Sequence, residues 1–213
     1  MNPPFYGVKT VKSIPLDEIF RLIDTHALFV GRWQFKRTKG TEEAYQKIIK
    51  EKVWPKFEEL KKSVKDDGIF EPKVSYGYFK RSQILNLELR TSNSEPVPLQ
   101  LVTIGSRVAE KCAELFKAGK YTDYLYLHGL AVEVTEALAE YSHRNILREL
   151  NIPFDAERPL PAMARISPGY HVWPSLADQK EMVRLLNAGE IGVELSETLQ
   201  MVPEYSTSAM IVL

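Results

Sequence analysis

The segment Arg165-Ile166-Ser167-Pro168-Gly169-Tyr170 combines residue types that could hold an anionic ligand. The Pro-Gly pair predicts a tight turn, so Arg165 and Tyr170 on either side of it could face a common ligand. Arginine offers a planar set of donors suited to a carboxylate or phosphate, and tyrosine adds an aromatic face and a hydroxyl. The same composition is also typical of an exposed turn with an ordinary surface arginine. The segment by itself leaves both interpretations open.

Glu136, Glu140 and His143 follow one another at spacings of four and three residues, so they share one face of a predicted helix. This face could be a ligand site that needs acceptors, or it could be an ordinary solvated helix face. Glu140 and His143 also form the E-x-x-H pattern of di-iron carboxylate bundles, but such sites require a second copy. None of the other histidines has a glutamate three residues before it, which argues against a metal site.

Composition and the remaining motifs exclude several classes of protein. The 213 residues hold 28 basic and 28 acidic side chains, interleaved along the chain, which argues against a nucleic-acid partner. No apolar run approaches the roughly 20 residues of a membrane helix, and no signal peptide is apparent. There is no glycine-rich nucleotide loop and no G-x-S-x-G elbow. The chain has a single cysteine, Cys112, which cannot form an internal disulfide and lies on an apolar helical stripe. Because it has neither a disulfide nor a membrane segment, we expect a cytoplasmic protein without a membrane partner.

Helices and strands that position these residues are predicted in blocks. Apolar periodicity predicts helices over Leu16–Asp24, 42–62, 108–119, 122–150 and 175–189, with a kink or a break at Pro55. Ser175 and Asp178 have the spacing of a capping box at the start of the last helix. Strands are predicted at 76–79, 84–89, 99–104 and 206–213, with a loop over 91–96 and a proline-rich, extended arm over 2–7. Separate blocks of helices and strands indicate an α+β fold, and no linker demands a second domain, so we expect one domain over residues 1–213.

Taken together, several segments resemble the activation domain of cobalamin-dependent methionine synthase. They are Arg165–Tyr170, Thr135–His143, and Ile191–Glu197 with Pro203 and Ser206-Thr207-Ser208, then Pro3–Gly7, Leu16–Phe29 with Asp24, and more loosely Tyr76–Phe79. The blocks occur in the family's order and span most of the chain. The resemblance implies a twisted antiparallel sheet flanked by helices, and a domain that binds S-adenosylmethionine.

The resemblance also implies which residues form that site. In the family the arginine and tyrosine of an R-x-x-x-G-Y motif bind the ligand, and these are Arg165 and Tyr170 here. An aspartate at the end of the first helix and a glutamate of the long helix correspond to Asp24 and Glu136. The expected S-adenosylmethionine site comprises Asp24, Glu136, Glu140, Arg165, Ile166, Gly169 and Tyr170. No side chain need act as acid or base, because the protein's part is to hold the sulfonium methyl in line with cobalt.

The activity that the resemblance implies is the reductive methylation of oxidised cob(II)alamin. At 213 residues the chain has no room for cobalamin, folate or homocysteine modules, so we expect a free-standing reactivation subunit of a methyltransferase rather than a complete enzyme. Its partner would be a separate methionine synthase that lacks this domain and holds the cobalamin, with flavodoxin or a flavin reductase as electron donor. Family members at the end of a large synthase continue past the position of Leu213, and Ile211 is the nearest match to an aromatic residue near their ligand. The shorter C-terminus motivates the alternative, a docking module for a corrinoid protein that does not bind S-adenosylmethionine.

Overall fold

A computed structural model describes residues 2–37, 41–84, 95–161 and 164–213, and its centre is a five-stranded antiparallel sheet. The strands are β1 Gly7–Val11, β2 Lys73–Phe79, β3 Val97–Thr103, β4 Arg165–Ile166, β5 Glu194–Leu195, β6 Met201–Val202 and β7 Ser206–Ile211. The strand order of the central sheet is β1-β2-β3-β7-β4, so that β1 and β4 form its two edges. The other two strands, β5 and β6, form a small hairpin.

Six α-helices and several shorter turns pack around this sheet in the described residues. The α-helices are α1 Leu16–Phe20, α2 Glu42–Ile48, α3 Trp54–Asp66, α4 Arg107–Lys117, α5 Tyr121–Glu149 and α6 Gln179–Leu185. Ala27–Arg32 and Ile49–Val53 are π-helical, and Arg81–Gln83, Leu176–Asp178 and Ala188–Ile191 are 3₁₀ turns. The π-helical stretch Ile49–Val53 joins α2 to α3, and Pro55 is the second residue of α3. Because proline cannot donate a backbone hydrogen bond, this change of register is the form that the predicted kink takes.

Alternate residues along β3 and just after it belong to two different hydrophobic clusters, one on each face of the sheet. Val102 and Ile104, the residue after the strand, belong to the cluster that includes α5, whereas Leu99 and Leu101 belong to the cluster that includes α6. This is the period of two expected for a strand that is buried on both faces. The long helix α5 therefore covers one face of the sheet, and the shorter elements around α6 cover the other.

The predicted α+β class with an antiparallel sheet is confirmed, and α4 and α5 begin and end close to their predicted bounds. The N-terminal arm is extended as predicted: it leads into β1, and Phe5 packs edge-on against Tyr76 and Tyr78. The predicted capping box is wrong, because the Ser175 hydroxyl donates to the Asp178 carboxylate and caps no helix backbone. The predicted strand 84–89 and loop 91–96 fall largely on residues 85–94, outside the described residues.

Even the longest helix, α5, lacks the uninterrupted apolar character of a membrane span, and no other described helix is both long and apolar enough to cross a bilayer. Charged groups such as Glu133 and Arg144 interrupt its apolar positions.

Candidate functional site

A cleft of about 620 Å³ opens beside the edge strand β4, where residues 21–25 after α1, the middle of α5 and residues 156–160 converge. This volume lies within the range of roughly 300–1,000 Å³ that is common for small-ligand pockets. Its charged lining consists of Arg21, Asp24, Glu133, Glu136, Glu140, Arg144, Glu157, Arg158 and Arg165. Four arginines and five carboxylates leave the lining with one formal negative charge.

Glu140 is the centre of a hydrogen-bond network inside this cleft. Its Oε2 accepts a hydrogen bond from Arg165 Nη1 at 2.7 Å, and its Oε1 accepts from Arg144 Nε at 2.9 Å and from the Leu160 amide at 3.0 Å. The Glu140 side chain is only 9% exposed. Burial alone would raise the pKa of Glu140, but the Leu160 amide and the two guanidinium groups hold it below its usual value. Glu140 is therefore an ionised group that fixes its neighbours.

Glu136 lies one turn before Glu140 and differs from it in exposure. Its carboxylate is 56% exposed and lies 3.9 Å from Arg165 Nη2, at the outer limit of an ion pair. The Arg165 side chain is 19% exposed, and only one of its nitrogens is committed to Glu140 at short range. Arg165 and Glu136 thus present a cation and an anion that an incoming ionic ligand can contact.

Asp24 and Glu133 add two carboxylates to the same cleft. Asp24 is exposed, and its Oδ1 accepts a hydrogen bond from the Ala27 amide at 2.9 Å, which fixes the start of the next helical segment. Glu133 is buried and pairs with Arg32 at 2.8 Å. Burial raises the pKa of Glu133, and the charges of Glu136 and Asp24 add to this effect while Arg32 opposes it. The influence of these carboxylates on one another indicates a concentration of negative charge.

Tyr170 and Gly169 line a second cleft of about 660 Å³, shared with residues such as Gln179 and Ser208. Side chains alternate along a strand, so Arg165 lies on the α5 face of the sheet, beside Ile211, whereas Ile166 is buried in the cluster that includes α6. The second cleft is lined by Gln179 of α6 and by Met201, which packs on the same cluster as Ile166, so the two clefts lie on opposite sides of the edge strand β4. The Tyr170 side chain is 71% exposed.

The turn that carries Tyr170 is held by its own backbone. The Gly169 amide donates to the Trp173 carbonyl and the Trp173 amide donates to the Tyr170 carbonyl. Gly169 has a φ of +89°, and a Cβ there would lie 3.0 Å from Leu176 Cδ1, so a side chain would be strained. Of the seven predicted site residues, the structure brings together Asp24, Glu136, Glu140 and Arg165 in the first cleft. Gly169 and Tyr170 line the second cleft, and Ile166 packs in the core.

His143, the third residue of the predicted helix face, is buried beneath this site. Burial and the nearby Arg165 charge lower the pKa of His143 to about 4, so the imidazole is neutral at pH 7. Its Nδ1 has no hydrogen-bond partner among the described residues. The solvated-face interpretation is therefore wrong for His143 and Glu140, though Glu136 is exposed. No group of three or more side chains suited to a metal ion occurs in the part of the chain that the structure describes.

Sequence reasoning missed Glu133 and Arg144 as members of the cleft. Both lie on the predicted face of α5, at i−3 from Glu136 and at i+4 from Glu140, so extending that face by one turn in each direction would have found them. Nothing in the sequence indicates the contacts of Arg144 with the following loop. Those contacts join segments 12 and 14 residues apart through backbone carbonyls.

By its architecture the chain is an α+β domain with a charged cleft of ligand size beside an edge strand, and comparison with known proteins specifies the class. A crystal structure described as the MetH reactivation domain bound to AdoHcy superposes with a TM-score of 0.74 at 16% sequence identity. The superposition covers 98% of this chain and 78% of the solved chain. At this identity the likeness concerns the fold.

The family model described as vitamin B12 dependent methionine synthase, activation domain, matches residues 87–213. The chain belongs to this family, as the resemblance implied. Methionine synthases of Mycobacterium tuberculosis (strain ATCC 25618 / H37Rv) and Mycobacterium leprae (strain TN) are 32% and 30% identical to it. Each match covers 98% of this chain and 22% of the relative, so the chain spans about a fifth of the length of these relatives.

Proposed function

We propose that this domain binds S-adenosylmethionine and presents its methyl group for the reductive methylation of cob(II)alamin in methionine synthase. The observation that carries the proposal is the position of Arg165. Glu140 anchors this arginine at the wall of the charged cleft and leaves its other N–H groups available. Family membership and the AdoHcy bound to the solved relative support the same ligand class.

The charges of the cleft fit this ligand. S-adenosylmethionine carries a carboxylate, an ammonium and a sulfonium group, hence one net positive charge, and the cleft lining has one net negative charge. Arg165 would bind the ligand carboxylate through its remaining donors. Glu136 and Asp24, both exposed carboxylates, would hold the cationic groups. We propose that the ligand crosses the edge strand β4, so that its other end contacts Gly169 and Tyr170 near the backbone of Ile166.

The work of this chain is positioning. The cobalamin, bound by the partner protein and reduced by one electron, supplies the nucleophile that takes the methyl group and leaves S-adenosylhomocysteine, a neutral thioether. Arg165, Glu136 and Asp24 would fix the sulfonium so that its methyl group faces the partner. No residue of the cleft needs to move a proton, because methyl transfer from a sulfonium releases none.

The partner is the cobalamin-binding part of methionine synthase, and the electron donor is a flavodoxin or a flavin reductase of the cytoplasm. That the partner lies on a separate polypeptide stays a prediction. We also propose that residues 1–213 fold as one domain, because both hydrophobic clusters share the same central sheet. A single cooperative thermal transition followed by both tryptophan fluorescence and circular dichroism would support this, and two separate transitions would contradict it.

Calorimetry with S-adenosylmethionine tests the ligand. We expect saturable binding to the wild type and a loss of about tenfold to a hundredfold in Arg165→Met, because a charged hydrogen bond contributes about 1.5–3 kcal/mol. Arg165→Lys keeps the charge beside Glu140 but loses the planar fork, so its affinity should lie between the two. Arg184→Met serves as a control, because Arg184 is an exposed arginine of α6 that pairs with Glu181 and lines neither cleft.

Transfer of a labelled methyl group tests the reaction. The domain is mixed with a methionine synthase that lacks its own activation domain, a chemical reductant and S-adenosylmethionine with a labelled methyl group. Label that appears on the cobalamin with the wild-type domain but not with Arg165→Met supports the proposal. A wild-type protein that shows no binding at millimolar S-adenosylmethionine, yet still forms a complex with the cobalamin domain, would instead establish the docking module without ligand.

A further inference from the structure

Residues 156–160, which follow α5, form one wall of the first cleft without being helix or strand. Five consecutive residues, 156–160, line the cleft, and four of them are exposed. Near this wall the backbone amides of Glu157 and Arg158 donate to Asp155, and the Arg158 guanidinium pairs with the Asp155 carboxylate at 3.3 Å. A wall of this kind needs an external anchor to keep one position.

Arg144 supplies that anchor from the side of α5. Its Nη1 donates to the Ala156 carbonyl and its Nη2 donates to the Arg158 carbonyl, both at 2.9 Å, while its Nε donates to Glu140. The side chain is 10% exposed. A guanidinium can make these three bonds at once because its donors point in three fixed directions in one plane.

Glu140 links this anchor to the ligand-binding arginine. The same carboxylate accepts from Arg144, from the Leu160 amide and from Arg165. The position of the wall and the position of Arg165 are consequently set by one buried group. Loosening the wall would also leave the Leu160 side of this carboxylate without its amide donor.

We propose that Arg144 is a positioning residue for the ligand site: it fixes residues 156–160 as a wall of the cleft that contacts bound S-adenosylmethionine. This inference rests on the proposed function and extends it to a residue and a loop outside the R-x-x-x-G-Y motif. Arg144 touches the wall and Glu140, and it acts on the ligand through them.

A conservative pair of variants separates this role from a general effect of charge. Arg144→Lys keeps the positive charge, but one ammonium group cannot reach Glu140 and two carbonyls together. Arg148→Lys is the matched control, because Arg148 lies one turn further on α5 and packs on the same Phe154 ring, at 5.4 Å compared with 5.8 Å for Arg144. The hydrogen bond of Arg148 goes to Asn145, not to the loop.

Hydrogen exchange at the Leu160 amide reports the wall directly. Pro159 and Pro161 flank this residue and carry no amide hydrogen, so the Leu160 amide is the one exchangeable backbone amide of residues 159–161. In the ligand-free protein we expect exchange at Leu160 to be about tenfold faster in Arg144→Lys, the equivalent of one charged hydrogen bond. Cleavage after Glu157 by a glutamate-specific protease should accelerate in parallel. Both rates should stay within about twofold of wild type in Arg148→Lys, since no bond to the loop is lost.

Calorimetry with S-adenosylmethionine provides the readout that a merely structural role would not move. We expect about tenfold weaker binding in Arg144→Lys and an unchanged affinity in Arg148→Lys, both measured well below the thermal transition of each variant. In the wild type, S-adenosylmethionine should slow exchange at Leu160. If Arg144→Lys does not fold, this wild-type comparison decides: added protection supports the proposal and unchanged exchange overturns it.

The other outcomes are equally distinct. Faster exchange in Arg144→Lys with wild-type affinity would overturn the proposal, because the loop would then be held by Arg144 without serving the ligand. Unchanged exchange in this variant would also overturn the proposal, because it would show that Arg144 does not hold the loop. Absence of any S-adenosylmethionine binding by the wild type would refute the proposed function and the ligand part of this inference. The ligand-free exchange data would still show whether Arg144 holds the loop, so the two failures can be told apart.

Discussion

Replacing Glu140 by glutamine tests whether this buried carboxylate holds the cleft together. The substitution preserves the shape of the side chain but removes the charge that faces Arg144 and Arg165, whose side chains are 10% and 19% exposed. It also turns an amide donor toward one of the two guanidinium groups, because glutamine has only one acceptor oxygen. Glu136→Gln is the matched control on the same helix face, with a carboxylate that is 56% exposed.

The expected cost follows from the burial of the groups left behind. Breaking a buried ion pair costs about 3–5 kcal/mol, and the residual exposure of Arg165 moves the expectation to the lower end, about 3 kcal/mol. For a chain of this size this corresponds to a fall of roughly 6–12 °C in melting temperature. The Glu136 carboxylate is solvated and 3.9 Å from its partner, so Glu136→Gln should cost less than about 0.5 kcal/mol.

Urea denaturation of the three proteins at several pH values provides the assay. Because the folded state lowers the pKa of Glu140, its contribution to stability is complete above its ordinary value of 4.5 and is lost as the pH falls through the folded pKa. The difference between wild type and Glu140→Gln should therefore be largest at neutral pH and should shrink in acid. The S-adenosylmethionine affinity of Glu136→Gln should fall even though its stability does not.

Two results would refute this reasoning. Equal stability losses for the two variants would show that burial does not distinguish the carboxylates. A Glu140→Gln loss that stays constant down to pH 3 would show that the ionised form is not the stabilising one.

Three further predictions concern other parts of the site. Burial lowers the pKa of His143 to about 4, so between pH 4 and 6.5 the unfolded chain binds more protons than the folded one. Wild-type stability should therefore fall by up to about 3 kcal/mol as the pH is lowered from 6.5 to 4. In urea titrations, His143→Gln should make stability less dependent on pH over this interval. Tyr170→Ala should leave the melting temperature unchanged but weaken S-adenosylmethionine about fivefold in calorimetry, whereas an unchanged affinity would confine the ligand to the Arg165 cleft. A Cβ at Gly129 would lie 2.9 Å from Arg32 Cβ and Trp33 Cδ1, so Gly129→Ala should destabilise by about 1–3 kcal/mol in thermal melts, and a more stable variant would contradict this close approach.

Much of the secondary structure is predictable because it depends on local patterns. The bounds of α4 and α5 follow from apolar periodicity and from the breaks at Gly119 and Pro153. Local patterns fail where an element is short or depends on distant partners. β4 contains only Arg165 and Ile166, and its hydrogen bonds come from β7, some 45 residues later in the chain, so no run of β-forming residues announces it. The Ser175 capping box failed because Asp178 is also bonded to the Trp173 indole nitrogen.

The sequence alone determined the family and indicated the residue types of the candidate site, because motif residues such as Arg165 and Asp24 are readable in order along the chain. It also placed Glu136 and Glu140 on one helix face, since helical periodicity is a local property. Only the tertiary structure separated those two glutamates into an exposed group and a buried anchor, and only it turned Arg165 and Tyr170 to opposite sides of an edge strand. The physical reason is that burial and electrostatic environment depend on which distant segments pack together. In this protein those segments are residues 21–25 after α1, the middle of α5, the loop held by Arg144, and β4.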